Sequence, residues 1–302
     1  MENPVAAMND FQIRRKLRIS ATIIFETAWR IGSGKEGETM SDLGVVLDPG
    51  GQPVLPGSSL KGKLRSTCET LAHALGMSAC LLNVEASRVE CVSDVNYYKA
   101  IKEDYRRASE RGLNARLGWI DQHTCDVCKL FGSPVRGSRL RISDGTLCEW
   151  AHVVQVRDGV VLDRDSHTAV DGLKYDYEVV PAGSKFLVIV DMDNPNDTDL
   201  ALFGAAVFEW HAGSSVGGFT SRGLGRFRTQ DIKLAGVDFD DAKQRIRYLT
   251  SLKPEERLSD LGDWQPQPPF IALIVPSTSV VCCTKALFWS APYICCLPTS
   301  AV

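Results

Sequence analysis

The sequence predicts an α+β sandwich of the ferredoxin type with insertions, rather than a doubly wound α/β sheet. Two observations carry this prediction. Each half of the chain contains a strand-like run, a helix-like run and a glycine-rich loop, arranged around a basic segment. In addition, the charged segment 158–184 has little apolar pattern, which is typical of a loop or hairpin that projects from such a core.

The chain is long enough, at 302 residues, to bury a sizeable core in one or two domains. Its net charge of −3 gives no overall sign of nucleic-acid binding. Lys and Arg are nevertheless concentrated, without Asp or Glu, in residues 52–66, 129–141 and 217–228. Each segment alone could be an ordinary solvated loop, but together these basic, glycine-bearing segments indicate a track for an anion.

The N-terminal segment lacks the apolar core of a signal peptide, so the sequence predicts a cytoplasmic protein. In a reducing cytoplasm, closely spaced cysteines are more often metal ligands than disulfide partners, and this chain has ten cysteines. The apolar C-terminal segment, 267–302, is interrupted by prolines, serines and Lys285. Those interruptions argue against a membrane helix, and the segment is predicted to be a disordered tail.

The first predicted strand covers residues 17–26, where apolar and polar residues alternate. A glycine-rich loop, 31–44, and a short extended run follow it. The motif G-x-G-x-x-G occurs in this loop at 32–37, but an extended run follows it where a dinucleotide site needs a helix. A dinucleotide site is therefore disfavoured.

The segment 55–66, LPGSSLKGKLRS, predicts the start of the first helix, with Ser58 or Ser59 as its N-cap. Three cations and no acid lie in its first turns, which is unfavourable beside the positive end of a helix. We therefore expect an anion nearby, and exposed amides, hydroxyls and lysines suit a phosphate. The segment also matches the P-loop pattern, but Leu64 stands where Ser or Thr should hold magnesium, so an NTPase is disfavoured.

The next segment, 77–130, is predicted to be an irregular insertion with one short helix near 97–111. Within it, His123-Thr-Cys125-Asp-Val-Cys128 has the spacing of half a zinc site. Cys91 and Cys80 are the candidates for the remaining ligands, and the predicted set is Cys91 with the histidine and the two cysteines. The alternative is that both cysteines are buried apolar residues. A structural Zn²⁺ is predicted because an insertion with little core gains stability from a metal.

The second half contains strand-like runs at 138–148 and 152–157 before the projecting segment. Residues 185–191 are the best buried strand, and a helix with one apolar face is predicted through residues 200–210. A second glycine-rich loop and a further strand follow at 213–225 and 226–234. Residues 241–266 are predicted to be a helical C-terminal segment.

The stretches LPGSSLKGKLRS, CDVCKLFG and GGFTSRGLGR, in that order, resemble the RAMP superfamily of CRISPR proteins. Within it they are similar to the backbone subunit that polymerises along the guide RNA in type III effector complexes. Residues 163–186 are similar to the thumb region of that family. The resemblance implies a ferredoxin-like (RNA-recognition-motif-like) RNA-binding core at 14–240, with a thumb hairpin at 158–184.

This resemblance implies a guide RNA, a complementary target RNA, and further copies of the chain, related RAMP subunits and other effector subunits as partners, with no membrane. Helix starts, glycine-rich loops and basic side chains would contact phosphates, while base pairing between guide and target reads the sequence. The residues predicted to contact the guide are Ser58, Ser59, Lys61, Lys63, Arg65, Arg136, Gly217, Gly218, Thr220, Ser221, Arg222 and Arg226.

In active relatives, one aspartate in the loop before the segment LPGSSLKG cleaves the target RNA. Asp42 matches that catalytic position, and Asp48 matches a turn aspartate. The implied reaction is metal-assisted attack of an RNA 2′-hydroxyl on its own phosphate, with Mg²⁺ or another divalent metal as cofactor. A carboxylate can hold such an ion or take the hydroxyl proton. Two alternatives stay open: Asp42 caps a turn, or the protein is a structural guide-binding subunit without cleavage activity.

Overall fold

The computed structural model describes residues 12–34, 42–80 and 90–263, so the predicted tail at 267–302 lies outside the described residues. The strands are β1 Arg15–Phe25, β2 Leu140–Ile142, β3 Thr146–Glu149, β4 Gln155–Leu162, β5 Ala169–Val179, β6 Lys185–Asp193, β7 Ser214–Ser215, β8 Arg226–Asp238 and β9 Ser259–Asp263. The helices are α1 Gly57–Ala72, α2 Val95–Glu110, α3 Leu113–Gln122, α4 Asp126–Phe131, α5 Asp197–Ala212 and α6 Ala242–Thr250.

Within the described residues, seven of these strands form one antiparallel sheet with β1 at its centre. Strand β1 pairs with β6 on one side and with β8 on the other, β2 and β3 extend the β6 side, and β7 and β9 pair with β8. Helices α1 and α5 pack on each other, α1 against β2 and α5 against β8. The predicted α+β class is confirmed, while the ferredoxin type of its core stays a prediction.

The predicted alternation of β1 is present in the structure, because Leu17, Ile19, Ile23 and Phe25 are all buried. The Phe25 ring stacks on Trp29 at 4.6 Å between ring centroids, which extends the apolar core beyond the end of the strand. The chain continues through buried residues, where Trp29 pairs with Val180 and the Arg30 carbonyl accepts the N–H of Gly218 in the second glycine-rich loop.

The predicted N-cap of α1 is wrong. Pro56 occupies that position, and Ser58 and Ser59 lie inside the first turn. The Gly57 N–H instead donates to Asp144 Oδ1 at 2.7 Å, so a carboxylate from the turn between β2 and β3 caps the helix. A longer residue could not replace Gly57, because its Cβ would lie 2.5 Å from the Ile142 carbonyl oxygen.

Strands β4 and β5 form a two-stranded hairpin, separate from the main sheet, where the sequence predicts a projecting loop or hairpin. The hairpin begins at Gln155, three residues before the predicted segment, and β5 ends at Val179. Its assignment as a thumb stays a prediction.

Two further predictions need correction. The insertion is more helical than predicted, because α3 and α4 follow the expected helix, and their short sequences have little amphipathic pattern of their own. The C-terminal segment is not purely helical, because β9 pairs with β8 after α6. Strand β9 is short and exposed, so its local sequence carries little strand signal. No helix in the described ranges is both long and apolar enough to span a membrane.

Candidate functional site

The loop that carries Asp42 runs beside β5 at the base of the hairpin. Asp42 is exposed, and its Oδ2 accepts the backbone N–H of Asp176 at 2.9 Å. Glu178 holds the next residues from both sides: its N–H donates to the Leu43 carbonyl at 3.0 Å, and its Oε2 accepts the Val45 N–H at 3.0 Å. These three hydrogen bonds place the Asp42 carboxylate at a defined point of the surface.

A second carboxylate, that of Asp176, lies next to Asp42. Asp158 is directly opposite Asp176 in the hairpin, and its hydrogen bond raises the pKa of Asp176, with the negative charge of Asp42 acting in the same direction. Neighbouring carboxylates of like charge suit a divalent cation, because hard oxygen donors are the ligands that Mg²⁺ prefers. The residues at this position therefore fit the predicted divalent metal.

The second glycine-rich loop packs closely on the backbone of Arg30. A Cβ on Gly217, which has φ +95°, would lie 2.1 Å from the Arg30 carbonyl oxygen. The Gly218 N–H donates to the same oxygen at 2.9 Å. Packing within the protein thus requires a glycine at position 217, while the predicted RNA contacts of both glycines stay a prediction.

An aromatic and cationic cluster joins this loop to the hairpin. Phe219 adopts φ +59°, and its ring lies 5.2 Å from the Arg30 guanidinium and 4.8 Å from that of Arg222. Tyr177 meets the Phe219 ring edge-on at 4.9 Å, and Arg222 Nη1 donates to the Tyr175 hydroxyl at 2.5 Å. Sequence reasoning identified Arg222 alone among these residues. Aromatic residues interleaved with basic ones are the signal that could have found the others.

The exposed polar residues of the predicted RNA track lie at two places. Ser58 is exposed and Ser59 half-buried at the start of α1. Thr220 and Ser221 are exposed in the glycine-rich loop, beside Arg222. Both places can therefore offer hydroxyl groups to a phosphate.

Several predicted RNA contacts are already engaged within the protein. Arg65 Nε pairs with Glu69 at 2.9 Å. Arg136 pairs with Asp121 at 3.2 Å, and its side chain is 10% exposed. Arg226 pairs with Glu26 at 3.1 Å but is 58% exposed, and so weak a surface pair can exchange for a phosphate.

The two lysines at the start of α1 differ in their surroundings. Lys61 Nζ donates to Ser138 Oγ at 2.9 Å and to the Leu140 carbonyl at 3.3 Å, which ties α1 to β2. Burial lowers the pKa of Lys61, and the nearby charge of Arg65 adds to this. Lys63 makes no side-chain hydrogen bond or ion pair within the described residues. The structure therefore favours Lys63 over Lys61 as a phosphate contact.

Lys63→Ala should weaken guide RNA binding and reduce the slope of log K against log salt by about 0.7, the value for one phosphate contact to a single strand. Lys61→Ala should leave that slope unchanged and lower the free energy of unfolding by about 1 to 3 kcal/mol, since it removes charge-assisted hydrogen bonds. Salt titrations of guide binding and thermal unfolding measure the two effects. An equal loss of slope in both variants would contradict this distinction.

Four buried cysteines form a cluster in the insertion: the metal-ligating atoms of Cys80, Cys91, Cys125 and Cys128 all lie within 4.8 Å of one another. The Sγ of Cys80 lies 3.4 Å from that of Cys128 and 3.6 Å from that of Cys125. Thiolates at about 2.3 Å from a tetrahedral zinc ion are about 3.8 Å apart. The cluster therefore fits a four-thiolate metal site.

His123 is not a member of this cluster, so the predicted ligand set is corrected, and Cys80 takes its place. The His123 ring stacks on Trp119 with centroids 4.3 Å apart, and its Nδ1 lies 2.8 Å from the Trp119 carbonyl oxygen. His123 is the C-cap residue of α3, whereas Cys125 is the N-cap residue of the separate helix α4. The His123 ring therefore packs on its own helix.

Groups around the cysteines are arranged to support thiolates. Arg65 Nη2 donates to Cys128 Sγ at 3.2 Å, and the Ser93 hydroxyl lies 3.1 Å from the same sulfur. The Cys125 N–H donates to Cys91 Sγ at 3.5 Å. Such outer contacts orient metal ligands and stabilise their charge. Arg65, which is also predicted to contact RNA, thus connects α1 to the cysteine cluster.

Comparison with known proteins places the chain in a family. A model of the RAMP superfamily matches residues 22–228. Two curated relatives are both called CRISPR system Cms endoribonuclease Csm3. The one from Methanocaldococcus jannaschii is 25% identical over 244 residues, covering 75% of this chain and 84% of the relative. The one from Methanothermobacter thermautotrophicus is 26% identical over 279 residues, covering 82% of this chain and 93% of the relative. Since the family match extends over more than half of the sequence, this chain belongs to the RAMP superfamily.

Proposed function

We propose that this protein is a guide-RNA-binding backbone subunit of a type III CRISPR ribonucleoprotein, and that it cleaves the paired target RNA. Membership of the RAMP superfamily and the names of the two relatives support this function. The observation that carries it is the position of Asp42, whose exposed carboxylate is fixed at the base of the hairpin by the Asp176 N–H. Guide RNA, target RNA, further copies of the chain and other effector subunits are the proposed partners, in the cytoplasm.

The guide backbone would lie across two basic surfaces. The first is the start of α1, with Ser58, Ser59 and Lys63, and the second is the glycine-rich loop, with Thr220 and Arg222. Contacts of this kind hold phosphates in register and carry no sequence information. Pairing between guide and target would supply the specificity.

The cleavage step follows from the chemistry of RNA. Asp42 takes the proton of a target 2′-hydroxyl, and that oxygen attacks the adjacent phosphorus. The bond to the 5′-oxygen of the next nucleotide breaks, and this oxygen takes a proton from water. The products are a 2′,3′-cyclic phosphate and a 5′-hydroxyl. A divalent ion held by Asp42 and Asp176 would supply positive charge beside the phosphate.

The cysteine cluster would hold a structural Zn²⁺ away from the cleavage step. All four cysteines are buried, and a four-thiolate site has no open position for a substrate. The metal would link Cys80, after α1, to Cys91 before α2 and to α4. It would thereby stabilise the insertion and, through Arg65, its contact with α1.

A structural subunit without cleavage activity is the second candidate. The bond from the Asp176 N–H to Asp42 is what this candidate also requires, because an aspartate that only fixes the loop would make the same contact.

The test uses the assembled, guide-loaded complex and an end-labelled complementary RNA, with Mg²⁺ or with EDTA. Metal-dependent cuts that leave 2′,3′-cyclic phosphate ends are expected, and a non-complementary RNA should stay intact. Binding of guide and target without cutting would assign the protein to the structural candidate. Failure to bind guide RNA would overturn both.

A further inference from the structure

Arg30 is a buried cation to which the cleavage chemistry above gives no task. It lies in the chain after β1, and the residue is 7% exposed. Burial lowers the pKa of Arg30, and the negative charge of Glu178, itself only 1% exposed, opposes this. A buried charge carries a desolvation cost, so its retention needs a compensating role in geometry or function.

The Arg30 side chain reaches the loop that carries Asp42. Its Nη2 donates to the Gly44 carbonyl oxygen at 3.4 Å. The flanking residues, Leu43 and Val45, are held by Glu178. Arg30 and Glu178, two groups of opposite charge, therefore hold three consecutive residues that follow the candidate catalytic carboxylate.

The same residue also supports the glycine-rich loop. The Arg30 carbonyl accepts the Gly218 N–H, and the guanidinium lies over the Phe219 ring. The same ring also lies 4.8 Å from the Arg222 guanidinium, which donates a hydrogen bond to the Tyr175 hydroxyl of the hairpin. Movement of the glycine-rich loop would thus be transmitted to Arg30, and through Gly44 to the Asp42 loop.

We propose that Arg30 is a positioning residue that couples the guide-binding glycine-rich loop to the Asp42 loop. RNA seated on the exposed residues of the glycine-rich loop stabilises the Phe219 ring against Arg30, and Arg30 in turn holds the Asp42 loop in its cleavage geometry. This inference rests on the proposed function, and it adds a dependence of cleavage on loop contacts remote from the reacting phosphate.

The variant Arg30→Met keeps the apolar length of the side chain and removes the guanidinium. We expect single-turnover cleavage at saturating target to fall about 10²-fold, the typical effect of a misplaced catalytic group. The Kd of the target should be unchanged, and the Kd of the guide should change far less than the cleavage rate. Arg30→Lys, which retains the positive charge, should recover part of the rate. Arg18→Met is the matched control, because Arg18 lies within β1 and pairs with Asp191 on β6, and it should cleave at the wild-type rate.

A positioning role lowers the cleavage rate without a parallel loss of RNA affinity, whereas a merely structural role lowers both. If guide binding and thermal stability fall in parallel with cleavage in the Arg30 variants, the positioning role is overturned. Should Arg30→Met fail to assemble, Arg30→Lys and Phe219→Leu decide: slower cleavage with unchanged target affinity supports the proposal, and wild-type rates overturn it. Both results require that the wild-type complex cleaves the target and that Asp42→Ala abolishes this cleavage. If the wild-type complex does not cleave, or Asp42→Ala cleaves normally, the proposed function is refuted instead.

Discussion

Replacing Asp42 with Asn should reduce target cleavage by about 10²- to 10⁴-fold, the usual contribution of a general base, while guide and target binding persist. The amide oxygen of Asn can still accept the Asp176 N–H, so the loop should keep its position. The amide can neither take a proton nor contribute negative charge to a cation site. Single-turnover cleavage with Mg²⁺, together with Kd values for guide and target, measures the effect.

The matched control is Asp48→Asn in the same loop. Asp48 Oδ1 accepts the N–H groups of Gly50 at 2.8 Å and Gln52 at 2.9 Å, which is a turn-stabilising role that an amide oxygen can keep. This variant should cleave at the wild-type rate. Undiminished cleavage by the Asp42 variant would assign Asp42 to the same kind of turn and place the cleavage site elsewhere.

Cys125→Ala should abolish stable zinc binding and loosen the helical insertion. It removes one of four thiolates from a site whose binding free energy contributes directly to folding, by about 10 kcal/mol or more in small zinc domains. Purified wild-type protein should carry about one zinc ion per chain, as a four-ligand site requires. The variant should carry almost none, and hydrogen exchange should increase in α4 and in the part of α1 around Arg65.

The matched control is Cys148→Ser, because Cys148 is exposed and lies outside the cluster. This variant should retain its zinc ion and its protection from hydrogen exchange. Removal of the metal from the wild-type protein with a chelator should reproduce the Cys125→Ala result. Metal-free wild-type protein with unaltered stability would contradict the zinc site and restore the interpretation of these cysteines as buried apolar residues.

Local sequence was sufficient for the main elements of the core. The alternation in residues 17–26 predicted β1, the apolar run at 185–191 predicted β6, and helical spacing predicted α1 and α5. These patterns succeed because one buried face imposes a fixed period on each element. Strand β9 was missed because it exists through pairing with β8, and its own residues are polar and exposed.

The site was predictable in part for the same reason. The pair Cys125 and Cys128 was identified because both ligands lie on one turn, and spacing within a turn is visible in sequence. The choice of Cys80 over His123 was not visible, since it depends on how α1, α3 and α4 meet. Arg65 was predicted to contact RNA because its chain neighbours are basic, and only the structure shows its contacts with Glu69 and Cys128.

The sequence by itself determined the elements of the core, the basic segments, the cysteine pair and the resemblance to one family, because these depend on residues close together in the chain. Only the tertiary structure decided which charges are engaged, which cysteines meet, and that Asp144 caps α1. It also brought Arg30 between the Asp42 loop and the glycine-rich loop. Such contacts join residues far apart in sequence, and packing of the whole core, not local pattern, selects them.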